Sequence, residues 1–144
     1  MKQGTLLYKL TDKNLQTHAG FQWVVGKTRT ASGLGELCGP GWLHAYTSPL
    51  LAILLNPVHA NIKLPRLWTA EGVVGKRDGG LKVGCMSLRL VREISVPLIT
   101  TTQKVIFGIL CAKEVYREPS WVLWADAWVS AEEAAAAAAR AAVS

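Results

Sequence analysis

Gly20-Phe21-Gln22-Trp23-Val24-Val25-Gly26-Lys27-Thr28 and, further on, Leu37-Cys38-Gly39-Pro40-Gly41-Trp42-Leu43-His44-Ala45-Tyr46-Thr47-Ser48-Pro49-Leu50-Leu51-Ala52-Ile53-Leu54-Leu55 decide how this chain is read. Gly20 and Gly26 bracket a short extended segment, Phe21 to Val25. A brief strand over Gly35 to Cys38 is expected to end at the Gly39-Pro40-Gly41 break. Trp42 to Tyr46 should then be extended. Side chains alternate along a strand, so Trp42, His44 and Tyr46 share one face and Leu43 and Ala45 the other. Ser48 can accept from the free amides of a helix start, and Pro49 in the first turn loses nothing by lacking an N–H. Leu50 to Leu55 is apolar nearly all round, which predicts a short buried helix. Asn56-Pro57 is expected to stop it.

Upstream, Thr5 to Leu10 reads as a strand, and Thr11-Asp12-Lys13-Asn14 ends it with turn chemistry. Thr28 to Leu34 reads as a loop. Downstream, Arg66 to Val74 is a strand with Leu67, Thr69, Glu71 and Val73 on one face. Gly75 to Gly80, with Asp78-Gly79-Gly80, is a hairpin loop. Leu81 to Ile94 returns, setting Met86, Leu88, Leu90 and the Arg92 stem against Ser87, Arg89, Val91 and Glu93. Pro97 closes the pair.

Beyond Thr100 the period changes. Apolar residues at 105, 106, 109, 110, 112 and 116 form a helical stripe over Gln103 to Tyr116, with Thr102 as a plausible cap. Arg117 to Ser120 breaks it. A second helix begins at Pro119 or Ser120, aligns Trp121, Trp124 and Trp128 on one face, and runs through the alanine tract to Ala142. The order predicts an α+β protein. A small antiparallel β-rich domain with one short buried helix occupies residues 1–97. Two helices over 98–144 pack on it or project from it.

The chain's 144 residues suffice to bury a core without staples. A charged fraction of 18% is low, which suggests an apolar surface partly covered by a partner. The net charge of +6 favours nucleic acid, acidic proteins or anionic ligands, yet Lys and Arg are scattered and read as a solvated surface. Cys38, Cys85 and Cys111 are odd in number and form no CxxC, which fits a reducing compartment. With no apolar leader at the N-terminus and no run near the ~20 residues of a membrane span, a soluble cytoplasmic protein is expected.

Little in the sequence points to catalysis. Cys38, His44, Cys85, Cys111, His18 and His59 are the available metal-type ligands, but Cys-x5-His matches no structural zinc spacing. Cys38, at a glycine-rich break, is a better nucleophile candidate than Cys111 inside a helix, though nothing beside it indicates a lowered thiol pKa. Gly26-Lys27-Thr28 lacks the upstream glycine of a phosphate-binding loop, and no GxGxxG occurs. No catalytic, cofactor or metal residue is therefore assigned. Trp121, Trp124 and Trp128 read first as the seam of a docked helix and second as a partner surface. With Trp42, His44 and Tyr46 they are the candidate partner-binding residues.

The spaced motifs Gly20-Phe21-Gln22-Trp23-x-Val25-Gly26-Lys27-Thr28, Leu37-Cys38-x-x-Gly41-x-x-His44-Ala45 and Ser48-Pro49-Leu50 resemble an uncharacterised domain common in bacteriophage genomes. The hairpin strand Leu88 to Ile94 fits the same domain, and the resemblance spans roughly residues 5–97. Trp42-Leu43 replaces the single aromatic of the usual pattern, and Tyr46 stands where a second cysteine is common. The helical tail resembles extensions attached to such domains. The resemblance brings no activity with it. Taken with the low charge content, the tryptophan stripe and the lack of a catalytic set, the phage-like motifs lead to the expectation of a non-enzymatic phage accessory protein that binds a protein, such as a host or defence factor, in the host cytoplasm. Two alternatives are carried. Tyr8-Lys9, Tyr46-Thr47-Ser48 and Glu71 or Glu93 loosely match the layout of an ADP-ribosyltransferase using a nicotinamide dinucleotide, although the first-strand Arg or His is missing. Lys and Arg around residues 75–82 would suit a sequence-independent nucleic-acid binder.

Overall fold

The structure, a computed structural model, describes residues 4–143. Its strands are β1 (Thr5–Thr11), β2 (Gln16–Thr17), β3 (Phe21–Gln22), β4 (Thr28–Thr30), β5 (Leu43–Ala45), β6 (Arg66–Arg77) and β7 (Val83–Ile94). Its α-helices are α1 (Pro49–His59), α2 (Thr101–Val115) and α3 (Pro119–Ala142). The fold is α+β, with an antiparallel sheet first and helices after it. The chain divides into two compact units, Met1–Pro97 and Leu98–Ser144.

In the first unit, β1, β6 and β7 lie side by side, and the far edge of β7 is shared. β4 pairs with Ser87–Arg89 and β5 with Val83–Cys85. β5 then swings back to β1, where Tyr8 and Tyr46 exchange backbone hydrogen bonds of 2.8 and 2.9 Å. The sheet thereby curls into a small barrel-like ring around Leu7, Trp23, Leu43, Ala45, Trp68, Ala70, Val83, Cys85, Leu88 and Leu90. β2 and β3 form a separate two-stranded ribbon.

Several local expectations change, each for a physical reason. Phe21–Gln22 is a strand, but Trp23 leaves it to enter the core, 1% exposed. Thr28–Thr30 is a strand rather than a loop, because β7 offers an unpaired edge there. Gly35 to Cys38 is a bend and turn rather than a strand. Register shifts between Thr69 and Ala70 and again around Val74 reset the alternation of β6. The inward set becomes Leu67, Trp68, Ala70 and Gly72, and Glu71 faces solvent. Helix α1 runs through Pro57 to His59 instead of stopping at Asn56. Pro57 sits in the last turn, where only the carbonyl one turn back loses its donor, and Asn56 then clasps Ile62 through both side-chain atoms. Only Ala52 and Leu55 of α1 are buried, so the helix covers the ring with one stripe rather than being enclosed.

In the second unit, α2 starts at a capping box. Thr100 Oγ1 accepts from the Gln103 amide, and Gln103 Oε1 accepts from that of Thr100, which displaces Thr102 as the cap. Glu118 caps α3 through the Trp121 amide, and the alanine tract is helical to Ala142. Lys113 and Asp126 join the two helices as an ion pair. Ala125 is the one buried residue of this unit among the described residues.

Candidate functional site

Residues 31–42 fold over the β6–β7 pair and hold Trp42 there. Gly33 donates to the Gly41 carbonyl at 2.7 Å, bringing the two arms of the loop together. The Trp42 indole lies over glycines: a Cβ at Gly75 would stand 2.6 Å from its ring, and one at Gly84 3.1 Å from its Cβ. Its N–H donates to the Gly35 carbonyl at 3.0 Å, where the Lys76 ammonium also donates. This packing fixes β5, and β5 sets out the side chains that follow.

Where the β6–β7 turn, β5 and the end of α1 meet, polar groups converge. Lys9 shares the inward face of β1 with Leu7. Its ammonium donates to the His44 carbonyl at 2.6 Å and lies 5.5 Å from the Trp23 ring centre. Desolvation brings the Lys9 pKa down to about 8, with the neighbouring Lys82 adding to the fall and Cys85 opposing it. The buried Cys85 thiol is pushed up to about 11 by the same exclusion of water. His44 Nε2 meets the Leu37 carbonyl, so it carries the proton and donates. Burial lowers the His44 pKa, and the cations Lys9 and Lys82 reinforce this.

Lys82 is only 9% exposed, and its ammonium donates to Cys38 Sγ at 3.3 Å. The Tyr46 hydroxyl meets His59 Nδ1 at 2.7 Å, with the two rings stacked 5.9 Å apart. Burial raises the Tyr46 pKa to about 12, and the Asp78 charge adds to it. The pKa of His59 is lowered, by burial first and then by Lys82. Asp78 Oδ1 accepts from the amides of Leu81 and Lys82, which fixes the turn.

The candidate partner residues separate into two kinds. Trp42 and Tyr46 are 9% and 8% exposed and hold the ring together, while His44 is half-buried and tied to Leu37. Trp124 is 54% exposed, and Trp121 and Trp128 are half-buried. Cys38 finds Lys82, not His44, as its polar partner. Among the described residues, no three His, Cys, Asp or Glu side chains are grouped to hold a metal ion. Glu71 and Glu93 form exposed ion pairs with Arg89 and Arg66, and Ser48 Oγ accepts from the Leu50 amide as a cap. Sequence reasoning met Lys9, His59, Asp78 and the cations of residues 75–82 only in separate roles and did not join Lys9, Lys82, His59 and Asp78 in one cluster. Only the Asp78-Gly79-Gly80 turn carried a local signal, because Lys9 and Lys82 find their partners 35 and 44 residues away and His59 finds Tyr46 across 13.

A small α+β domain with a curled antiparallel sheet is the class these features define. The model of the domain of unknown function DUF7666 matches residues 5–101, and the chain belongs to that family. No curated protein and no solved structure matches the chain. Among the described residues, no helix is long and apolar enough to cross a membrane.

Proposed function

We propose that the chain acts by binding another protein rather than by catalysis, and that the α2–α3 junction makes the contact. The carrying observation is a continuous aromatic run at that junction. Tyr116 meets Trp121 edge-on at 5.4 Å, and Trp121 meets Trp124 at 6.5 Å. Tyr116 and Trp124 are nonetheless 52% and 54% exposed, and Leu123 beside them is 73% exposed. Half-exposed aromatics with a polar edge are the side chains that anchor protein interfaces. A shallow, open depression lined by Lys113, Glu114, Arg117, Pro119 and Val122 lies at the same junction and supplies a charged rim. The setting of a phage accessory protein with a bacterial host or defence partner is part of this proposal and is supported by the motif resemblance of residues 20–50.

The test is capture from bacterial lysate with the full chain, beside a Tyr116→Ala/Trp124→Ala variant whose helicity matches. The proposal expects a partner that the variant retains at least about tenfold less well, since an anchor of this kind is worth 2 kcal/mol or more. Equal capture by both proteins, or none by either, overturns it.

A further inference from the structure

The first unit carries charge that it does not neutralise. Residues 1–97 hold 12 of the 16 Lys and Arg but 5 of the 10 Asp and Glu, a balance of +7 against −1 for residues 98–144. Within this unit, Glu71 and Glu93 are committed to Arg89 and Arg66. The side chains of Asp12 and Asp78 accept from backbone amides of their own turns, and the fifth carboxylate, Glu36, is exposed. Lys9 and Lys82 are thus left at the hairpin end with neutral acceptors, a carbonyl for one and a thiol for the other. Two largely enclosed ammonium groups without a carboxylate are an expensive arrangement, because a charge taken out of water needs an opposite charge to offset it. One neighbouring imidazole adds a donor. His44 spends its Nε2 proton on the Leu37 carbonyl, whereas a Tyr46 hydroxyl donating to His59 Nδ1 leaves the proton of that ring on Nε2. Cys38 and His59, at the rim, are exposed.

We propose that this end of the ring, between Lys9, Lys82, His44 and His59, binds the phosphate group of a small phosphomonoester. Two ammonium charges match the charge of a phosphomonoester near neutral pH, which is between −1.5 and −2, better than they match a carboxylate. The phosphate replaces the thiol as the partner of Lys82. Asp78 remains bound to its turn amides and tempers the positive field without filling it. This inference is independent of the protein-binding reading, which uses the other unit.

The full chain is titrated with inorganic phosphate and with glycerol phosphate at constant ionic strength, with chloride as reference. Heat and ¹⁵N amide shifts are recorded. Saturable binding is expected, with shifts centred on the amides of residues 44–46 and 81–83. Lys82→Met and Lys9→Met each weaken binding about tenfold or more, the loss expected for a charge-assisted hydrogen bond. Lys27→Met, which alters an exposed cation outside the cluster, leaves it unchanged. No saturable binding, shifts confined to other residues, or equal binding by both cluster variants overturns the site. The wild-type shifts decide alone if a variant does not fold. A mixed oligonucleotide that binds more tightly than glycerol phosphate, with affinity falling steeply in salt, overturns the small ligand in favour of nucleic acid.

Discussion

At Gly41 a methyl group would stand 1.9 Å from the Leu34 carbonyl oxygen, a backbone atom with no room to move. Gly79, with φ +73, has nothing within 4 Å of its missing Cβ and needs glycine for conformation alone. Gly41→Ala should therefore lower unfolding stability by about 3 kcal/mol and Gly79→Ala by about 1 kcal/mol, read from urea midpoints. Lys9 sets the other residue-scale expectation. Its folded pKa of about 8 lies below its ordinary value of 10.5, so the unfolded chain binds more protons between these limits. Stability then rises with pH through that window, by about 1 kcal/mol from pH 8 to 9. Cys85 and Tyr46 work the opposite way. Their raised values, about 11 and about 12, make the folded state hold protons longer, and stability falls from pH 9 and pH 10 upward. Wild type should show a shallow rise from pH 8 to 9 that flattens above it, and Lys9→Met should lose the rise. An unchanged profile in Lys9→Met would remove the enclosed ammonium from the account.

Among the elements, α1 carries an avoidable weakness. Pro57 lies within the helix and deprives the Ile53 carbonyl of its donor. Pro57→Ala should raise the melting temperature, with a gain of about 1 kcal/mol rather than the ~3 kcal/mol of a mid-helix proline, because the lost bond is in the last turn. How well elements were legible follows from where their information lies. The Ser48-Pro49 start of α1, the Asp78-Gly79-Gly80 turn and the alanine tract are local chemistry, and each reads directly from neighbouring residues. The end of α1 did not, because an Asn56–Ile62 clasp lets the helix outlast its proline. The bulges of β6 were equally hidden, since they arise from fitting twelve residues against β7 rather than from any residue in β6 itself. Thr28–Thr30 became a strand only because a partner edge was free.

On the scale of the whole molecule, α+β order was visible from the change of hydrophobic period near Thr100, but the closing of the sheet was not. The Tyr8–Tyr46 bridge joins residues that no window of sequence sets side by side, and it is what brings Lys9 to His44 and the hairpin turn to α1. The same closure buries Tyr46 and helps explain why an apparent aromatic face on Trp42 and Tyr46 is core, whereas Trp124 is not. All described buried apolar residues but Ala125 lie in the first unit, and residues 95–100 join no helix or strand. Limited proteolysis should cut there first and leave a resistant fragment ending near Pro97; early cutting inside β6 or β7 would contradict a self-sufficient core. The proposed division of labour, a β-rich scaffold and a helical unit that binds protein, is tested most directly by quantitative capture with three proteins. These are the wild type, Tyr116→Ala/Trp124→Ala, and Lys82→Met. The account predicts one partner held equally by wild type and Lys82→Met and lost by the aromatic variant. Loss in Lys82→Met with full retention by the aromatic variant would contradict it.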